Sequence, residues 1–382
     1  MKLLFYLGLA GFLLFEILNV YFIMPMPGSQ RMESIDFAYF LYSWRWIFRS
    51  LFGLAILVSI WPMYQKQRWV VVGGLVVLLG IIYFFNFRMS ADHMFYQPEK
   101  LQMLNSQENK VKTEKLITGI VLNGEARAYP IQLIAYHHQV LDTVGGKPIM
   151  VTYCSVCRTG RIFDPAVNGK LETFRLVGMD HFNAMFEDAA TGSWWRQATG
   201  EAITGERKGE ALTELLSEQM TLSQWLALHP KSLIMQPDVA AEEKYKGLLT
   251  YEDGKSKGDL TRTDSLSWKD KSWVVGIEID AHSKAFDWNR LKKERIINET
   301  IGNKPIVLVL ANDNKSFTAF ARPTSEALFT VKNDTLFSGD QSFLLSGQSV
   351  SNDSKITGLT PVNAYQEFWH SWQTFHPKTE QY

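Results

Sequence analysis

The sequence predicts an α+β protein in which three transmembrane α-helices precede a β-rich soluble part built as two related units. Three observations lead there. The first ninety residues are apolar and aromatic, and nearly all the acidic residues follow them. From residue 115 onward, extended runs are separated by Asn-Gly and Gly-Gly pairs, which is the pattern of β-hairpins. A set of residues in the first half of this part then returns in the second half at a constant spacing.

The membrane region is expected over residues 1–89, with helices at 3–24, 46–64 and 69–87. Leu3 to Met24 is an apolar run broken mainly by Glu16 and Asn19. At about 1.5 Å per residue it can cross a hydrocarbon core of roughly 30 Å. Arg49 lies near one end of the second run, where its long side chain can reach the interface. Gly73 and Gly74 in the third allow close approach of a neighbouring helix. Trp44, Trp46, Trp61, Tyr64 and Trp69 fall at the edges, as an interfacial aromatic belt would. Lys2 and the pair Lys66 and Arg68 would share one side of the bilayer after two crossings. The positive-inside rule makes that side cytoplasmic and places residues 90–382 outside it, as in a bacterial inner-membrane protein. The lipid bilayer is thus an expected partner. With 39 basic and 39 acidic residues the chain has no excess charge for a nucleic acid.

Residues 90–114 read as a polar linker, 115–240 as the first β-rich repeat, 241–270 as an exposed connector and 271–382 as the second repeat. Asn123-Gly124, Gly145-Gly146 and Asn168-Gly169 mark hairpins. Pro130 can open a short helix through His138, and Leu222–Leu228 is a short amphipathic helix stopped at His229-Pro230. Gly119, Ala128-Tyr129 and Lys147-Pro148-Ile149 return as Gly276, Ala285-Phe286 and Lys304-Pro305-Ile306, an offset of 157. Trp225 and His229-Pro230-Lys231 return as Trp372 and His376-Pro377-Lys378, an offset of 147.

The chemistry is expected at the only two cysteines, Cys154 and Cys157, which sit on a C-x-x-C-x-x-G loop between two extended runs. Gly160 is expected to take φ > 0 there. At offset 157 the two cysteines become Ala311 and Asn314, so the thiols are not part of the shared framework, whereas His229 and His376, present in both copies, read as structural.

The run V-T-Y-C-S-V-C-R-T-G-R-I-F-D at Val151–Asp164 stands first in a longer series. F-R-L-V-G at Phe174–Gly178, S-W-W-R-Q at Ser193–Gln197 and G-E-A-I-T-G at Gly200–Gly205 follow it. Together, over residues 115 to 380, they resemble the bacterial and archaeal family called domain of unknown function 3179. The chain departs from that family's pattern at Asn183-Ala-Met-Phe-Glu-Asp, and Met179-Asp180-His181 resembles a membrane-anchored subgroup. The resemblance implies a fold boundary and supplies no mechanism.

Three readings of the cysteines follow. The first is a soft-metal site, copper first and zinc second, because thiolate and thioether ligands select soft ions and imidazole suits both metals. Its further ligands would come from His181 and Met185, four apart and on one face if helical, from Met179, and from His137. The second is thiol–disulfide chemistry, with Arg158 and Arg161 available to stabilise a thiolate, although no helical pattern follows the motif. The third is a structural pair in a non-catalytic binding or scaffolding module. Trp194 and Trp195 read as core residues. No G-x-S-x-G elbow, H-E-x-x-H helix or phosphate-binding glycine loop is present in the sequence.

Overall fold

The computed structural model describes residues 1–350 and 358–382. They form two compact units interleaved along the chain. The first holds residues 1–96, 172–196 and 201–211, and the second holds 97–171, 197–200 and 212–382.

The first unit begins with helices α1 (Lys2–Tyr21), α2 (Ile35–Ser43) and α3 (Arg45–Tyr83). Among the described residues two helical runs, Lys2–Tyr21 and Arg45–Arg88, are long and apolar enough to cross a membrane, where three were expected. The expected spans at 46–64 and 69–87 share the second run, inside which Gln67 has the non-helical angles φ −145° and ψ 62°. There the chain doubles back. Arg49 Nη2 donates to Asn86 Oδ1 at 2.7 Å across a separation of 37 residues, a distance that straight helix would stretch to about 55 Å. The polar run Gln65-Lys66-Gln67-Arg68 tolerates the break, and Tyr6 donates to Gln67 at 2.9 Å.

Small residues let these helices approach. A Cβ on Gly8 would stand 3.0 Å from Ala55, and one on Gly74 would stand 2.7 Å from Leu9. The polar residues of the apolar segments satisfy one another. Arg49 donates to both oxygens of the wholly buried Glu16 at 2.7 and 2.9 Å, and Asn86 donates to Glu16 at 2.8 Å.

The rest of this unit is an antiparallel sheet of strands Phe174–Asp180, Asn183–Asp188, Trp194–Arg196 and Ala202–Thr204, paired in sequence order. Its buried Val177, Met185, Trp194 and Ile203 pack with Val20, Ile23, Met24 and Ala38. Gly178 leaves room for the carbonyl of Ile23, 2.4 Å from where a Cβ would sit, and the N–H of Met179 donates to that carbonyl at 2.7 Å.

In the second unit one order of elements occurs twice. Strands Leu116–Leu122 and Glu125–Pro130, helix Ile131–His137, and strands Gln139–Val144, Lys147–Cys154 and Thr159–Asp164 form the first series. Strands Trp273–Ile279 and His282–Asp287, helix Trp288–Glu294, and strands Ile296–Ile301, Lys304–Leu310 and Phe317–Ala321 form the second. The Asn-Gly turn behaves as its composition demands, with Asn123 at φ 49° and Gly124 at φ 82°. Each helix ends on a residue at positive φ, His138 at 59° and Arg295 at 69°. Gly119 and Gly276 each lie under an indole, with space for a Cβ filled by Trp225 at 2.4 Å and Trp372 at 2.2 Å. The rings of His229 and His376 lie 4.2 and 3.7 Å from those same two tryptophans, a packing role in both series.

Candidate functional site

The two cysteines close the hairpin between strands Lys147–Cys154 and Thr159–Asp164, where Cys154 pairs with Thr159. The left-handed residue of this turn is Arg158, at φ 58°, and not Gly160 as expected. Gly160 instead lies close to the Tyr153 ring, 3.2 Å from where a Cβ would sit. Both cysteines are wholly buried, and they lie 4.0 Å apart. Behind the turn the buried Gln197 donates to Thr152 Oγ1 at 3.0 Å and to the Thr159 carbonyl at 3.1 Å, which accounts for the glutamine of the S-W-W-R-Q run.

Other elements of the same unit seal the loop. The N–H of Phe368 donates to the Cys157 carbonyl at 2.9 Å. Lys271 Nζ donates to the Val156 carbonyl at 2.6 Å and lies 3.2 Å from His370 Nε2. Tyr251 donates to the Ser155 carbonyl at 2.9 Å. Thr159 and Ser371 share a hydrogen bond at 3.2 Å, and Ser371 donates to Glu367 at 3.0 Å.

Burial dominates the electrostatics. It pushes the Cys157 thiol well above its usual value; the neighbouring Cys154 adds to this, while Ser371 and Lys271 oppose it. Burial also pulls Lys271 below the usual ammonium range, against the two cysteines, which raise it. His370 is brought down to about 3 by burial and by the Lys271 charge, so it is a neutral imidazole at pH 7.

The arginines offered as thiolate partners are engaged elsewhere. Arg158 donates to Gln366 at 2.8 Å and to the carbonyls of Tyr251 and Glu252 at 3.3 and 3.1 Å, and lies 3.8 Å over the Trp273 ring. Arg161 is held by Glu367 at 2.6 Å and Glu214 at 3.2 Å. The cation at the thiols is Lys271.

The remaining expected ligands are placed as follows. His137 belongs to the unit of the cysteines, and its Nε2 meets the Tyr245 hydroxyl at 2.6 Å. Met179, His181 and Met185 belong to the other unit. They are not on a helix but on a β-hairpin whose turn is His181-Phe182, at φ 49° and 68°. His181 Nδ1 is 2.6 Å from Asp180, whose carboxylate raises the imidazole pKa, and Met185 is core. Among the described residues no three or more His, Cys, Asp or Glu side chains are grouped so as to hold a metal ion.

The tandem tryptophans are structural. Trp194 donates to Glu187 at 3.0 Å and lies 5.0 Å from the Tyr39 ring, while Trp195 donates to Asp188 at 2.8 Å.

Residues 97–379 match the model of a family described as a protein of unknown function, DUF3179. The chain belongs to this family. Neither the search of curated proteins nor that of solved structures returned a match. The DUF3179 match covers the Cys loop and every residue that seals it, so the sealed thiol pair is an arrangement inside the family domain.

Lys271, Glu367, His370 and Ser371 were missed in the sequence. The signal that could have found them was the sequence comparison at offset 147, where Ser371 stands opposite Gln224 and Glu367 opposite Met220. These positions differ across that offset just as the cysteines differ across the offset of 157.

Proposed function

We propose that this chain is a membrane-anchored, extracytoplasmic scaffolding or binding module built on a duplicated β-rich unit, and that Cys154 and Cys157 are a structural pair at the joint of the two copies. The observation that carries this is the complete burial of both thiols, with Cys157 held protonated. A nucleophile, an exchange partner or a metal ligand acts as thiolate and needs access. The loop 311–316, the counterpart of the Cys loop, makes a similar clasp without thiols, since the N–H of Thr221 donates to Ser316 at 2.8 Å. The duplication is supported by the repeated order of elements and by the matching positive φ of His138 and Arg295.

Anchoring is supported by the two long apolar helices and by their exposed Leu54, Leu57, Val76 and Leu79. Orientation is supported by the turn at Gln67, which carries Lys66 and Arg68, while the opposite end of the helices, at Ile23, meets the sheet at Met179.

A second reading keeps the soft metal. Two sulfurs 4.0 Å apart can be spanned by one ion at about 2.3 Å from each, and the Lys271 ammonium would offset the charge of a bis-thiolate copper(I) centre.

The test uses the full chain in detergent, reduced and free of oxygen. It is exposed to a chromogenic disulfide reagent before and after denaturation, and separately to copper(I) and zinc(II) followed by elemental mass spectrometry. The structural reading expects no thiol to react in the folded chain, both to react once it is unfolded, and no metal to remain. Rapid reaction of the folded chain overturns it. One equivalent of copper, lost in a Cys154→Ser/Cys157→Ser double variant, would establish the second reading in its place.

A further inference from the structure

Helix α2 has two faces. Ala38 and Leu41 are buried, and Tyr39 and Tyr42 lie 5.0 and 5.3 Å from the Trp194 ring, so this face holds the sheet. The other face carries Phe37, Phe40 and, at the cap, Trp44, with exposures of 48%, 46% and 50%. Their spacing of three and four residues makes one stripe.

That stripe does not stop at the end of α2. It continues at the same spacing into α3 through the exposed Ile47 and Leu51. Ring contacts bind it to the apolar helices: Phe37 meets Phe22 at 5.4 Å, Phe40 meets Phe48 at 5.9 Å, and Phe48 stacks on Phe15 at 5.1 Å. Polar groups lie off the stripe, where Asp36 pairs with Lys208 of the sheet unit at 2.9 Å.

We propose that α2 is an interfacial helix whose Phe37–Phe40–Trp44 face lies in the headgroup and upper acyl region of the lipid bilayer, so that the sheet is seated on the membrane surface through Trp194. The inference rests on the membrane reading above. An apolar aromatic face running without a break into a membrane-spanning helix has the bilayer as its neighbour. It is a surface contact and not a third crossing, because nine residues span about 14 Å.

The experiment uses the full chain in nanodiscs of phosphatidylcholine and phosphatidylglycerol, with nitroxide attached to Phe37→Cys, Phe40→Cys, Asp36→Cys or Leu57→Cys. The unsubstituted chain, with its buried thiols, is the labelling blank. Oxygen reports lipid and a nickel chelate reports water. The expected result is a several-fold higher oxygen-to-nickel ratio at 37, 40 and 57 than at 36. A ratio at 37 and 40 equal to that at 36, with 57 in lipid, overturns the interfacial helix and leaves the anchor standing. Water access at 57 overturns the anchor itself, and this inference with it.

A measurement on the nearly unaltered chain guards against misfolded labels. The fluorescence difference between the parent and Trp44→Phe should be quenched by lipids brominated near the headgroup. Failure of shallow quenching overturns the proposal.

Discussion

The backbone N–H of Phe368 donates to the carbonyl of Cys157 at 2.9 Å, and Phe368 is the residue that precedes the last helix, Trp369–Phe375. Thr221 stands in the same relation to helix Leu222–Leu228, and its N–H is taken by Ser316 at 2.8 Å. The turn of each series therefore satisfies an N–H at the entry of the helix that follows the other, a group that would otherwise be left without a partner at a buried helix end. In one series the turn carries two thiols, and in the other it carries Asp313 and Ser316, which bond each other.

If the thiols serve this joint as small apolar side chains, their replacement should cost stability and little else. Cys157→Ala is expected to lower the unfolding free energy by about 1–2 kcal/mol through lost packing. Cys157→Ser places a hydroxyl in the same dry site beside Ser371 and is expected to cost at least as much, about 1–3 kcal/mol. Denaturant unfolding of the full chain in detergent measures both. A variant as stable as the parent would contradict the structural role.

The glycines under the two tryptophans test whether the two series of elements are packed alike. A methyl at Gly119 would meet the Trp225 ring and one at Gly276 the Trp372 ring, each well inside van der Waals contact. Gly119→Ala and Gly276→Ala are each expected to destabilise by about 1–3 kcal/mol, because an indole locked by its N–H to Ser232 or Thr379 cannot step aside. Thermal scans of the two variants should show losses of similar size. A loss confined to one variant would mean that the two indoles are not held alike.

Glu16 and Arg49 form a pair that is costly to break by halves. Glu16→Gln leaves the Arg49 charge among apolar helices and is expected to cost about 3–5 kcal/mol, whereas Glu16→Met with Arg49→Met should recover much of that loss. Asn86, bonded to both, remains in either case. Melting of the two variants in the same detergent compares them, and a double variant less stable than the single one would contradict the pairing argument.

What the sequence revealed and what it hid follow from the range of the interactions. Hairpins at Asn123-Gly124 and Gly145-Gly146 and the helix at Leu222–Leu228 were readable because turn chemistry and capping are local. The reversal at Gln67 falls in the polar stretch that separates the spans read at 46–64 and 69–87, but the meeting of Glu16, Arg49 and Asn86 across the helices was not readable, because it joins residues far apart in the chain. The cysteines were found as the only two of the chain, on a C-x-x-C loop between two extended runs. Their surroundings were not, because Lys271, His370 and Ser371 lie more than a hundred residues away and reach the loop only through tertiary packing. His181 and Met185 were read at helical spacing, but the segment is a hairpin with Met185 in the core and His181 at its turn. Alternation in Asn183–Asp188 is masked because nearly every residue of that strand is buried.

The lid of the thiol pair should make the fold sensitive to acid. His370 lies beside Lys271 and accepts no proton until about pH 3, while an imidazole ordinarily titrates at 6.5. The unfolded chain therefore binds this proton more readily than the folded chain throughout the interval between those values. Stability that is present above about pH 6.5 is lost as pH falls through the interval, by about 3 kcal/mol at pH 4 from this group alone. His370→Gln removes the titration and keeps a polar side chain toward the Val156 carbonyl, to which His370 Nε2 now lies at 3.3 Å. Unfolding at pH 7 and at pH 4 should show a smaller acid loss in His370→Gln than in the parent. An equal loss in both would place the acid sensitivity elsewhere and leave His370 free to protonate in the folded chain, which the buried Lys271 charge at 3.2 Å opposes.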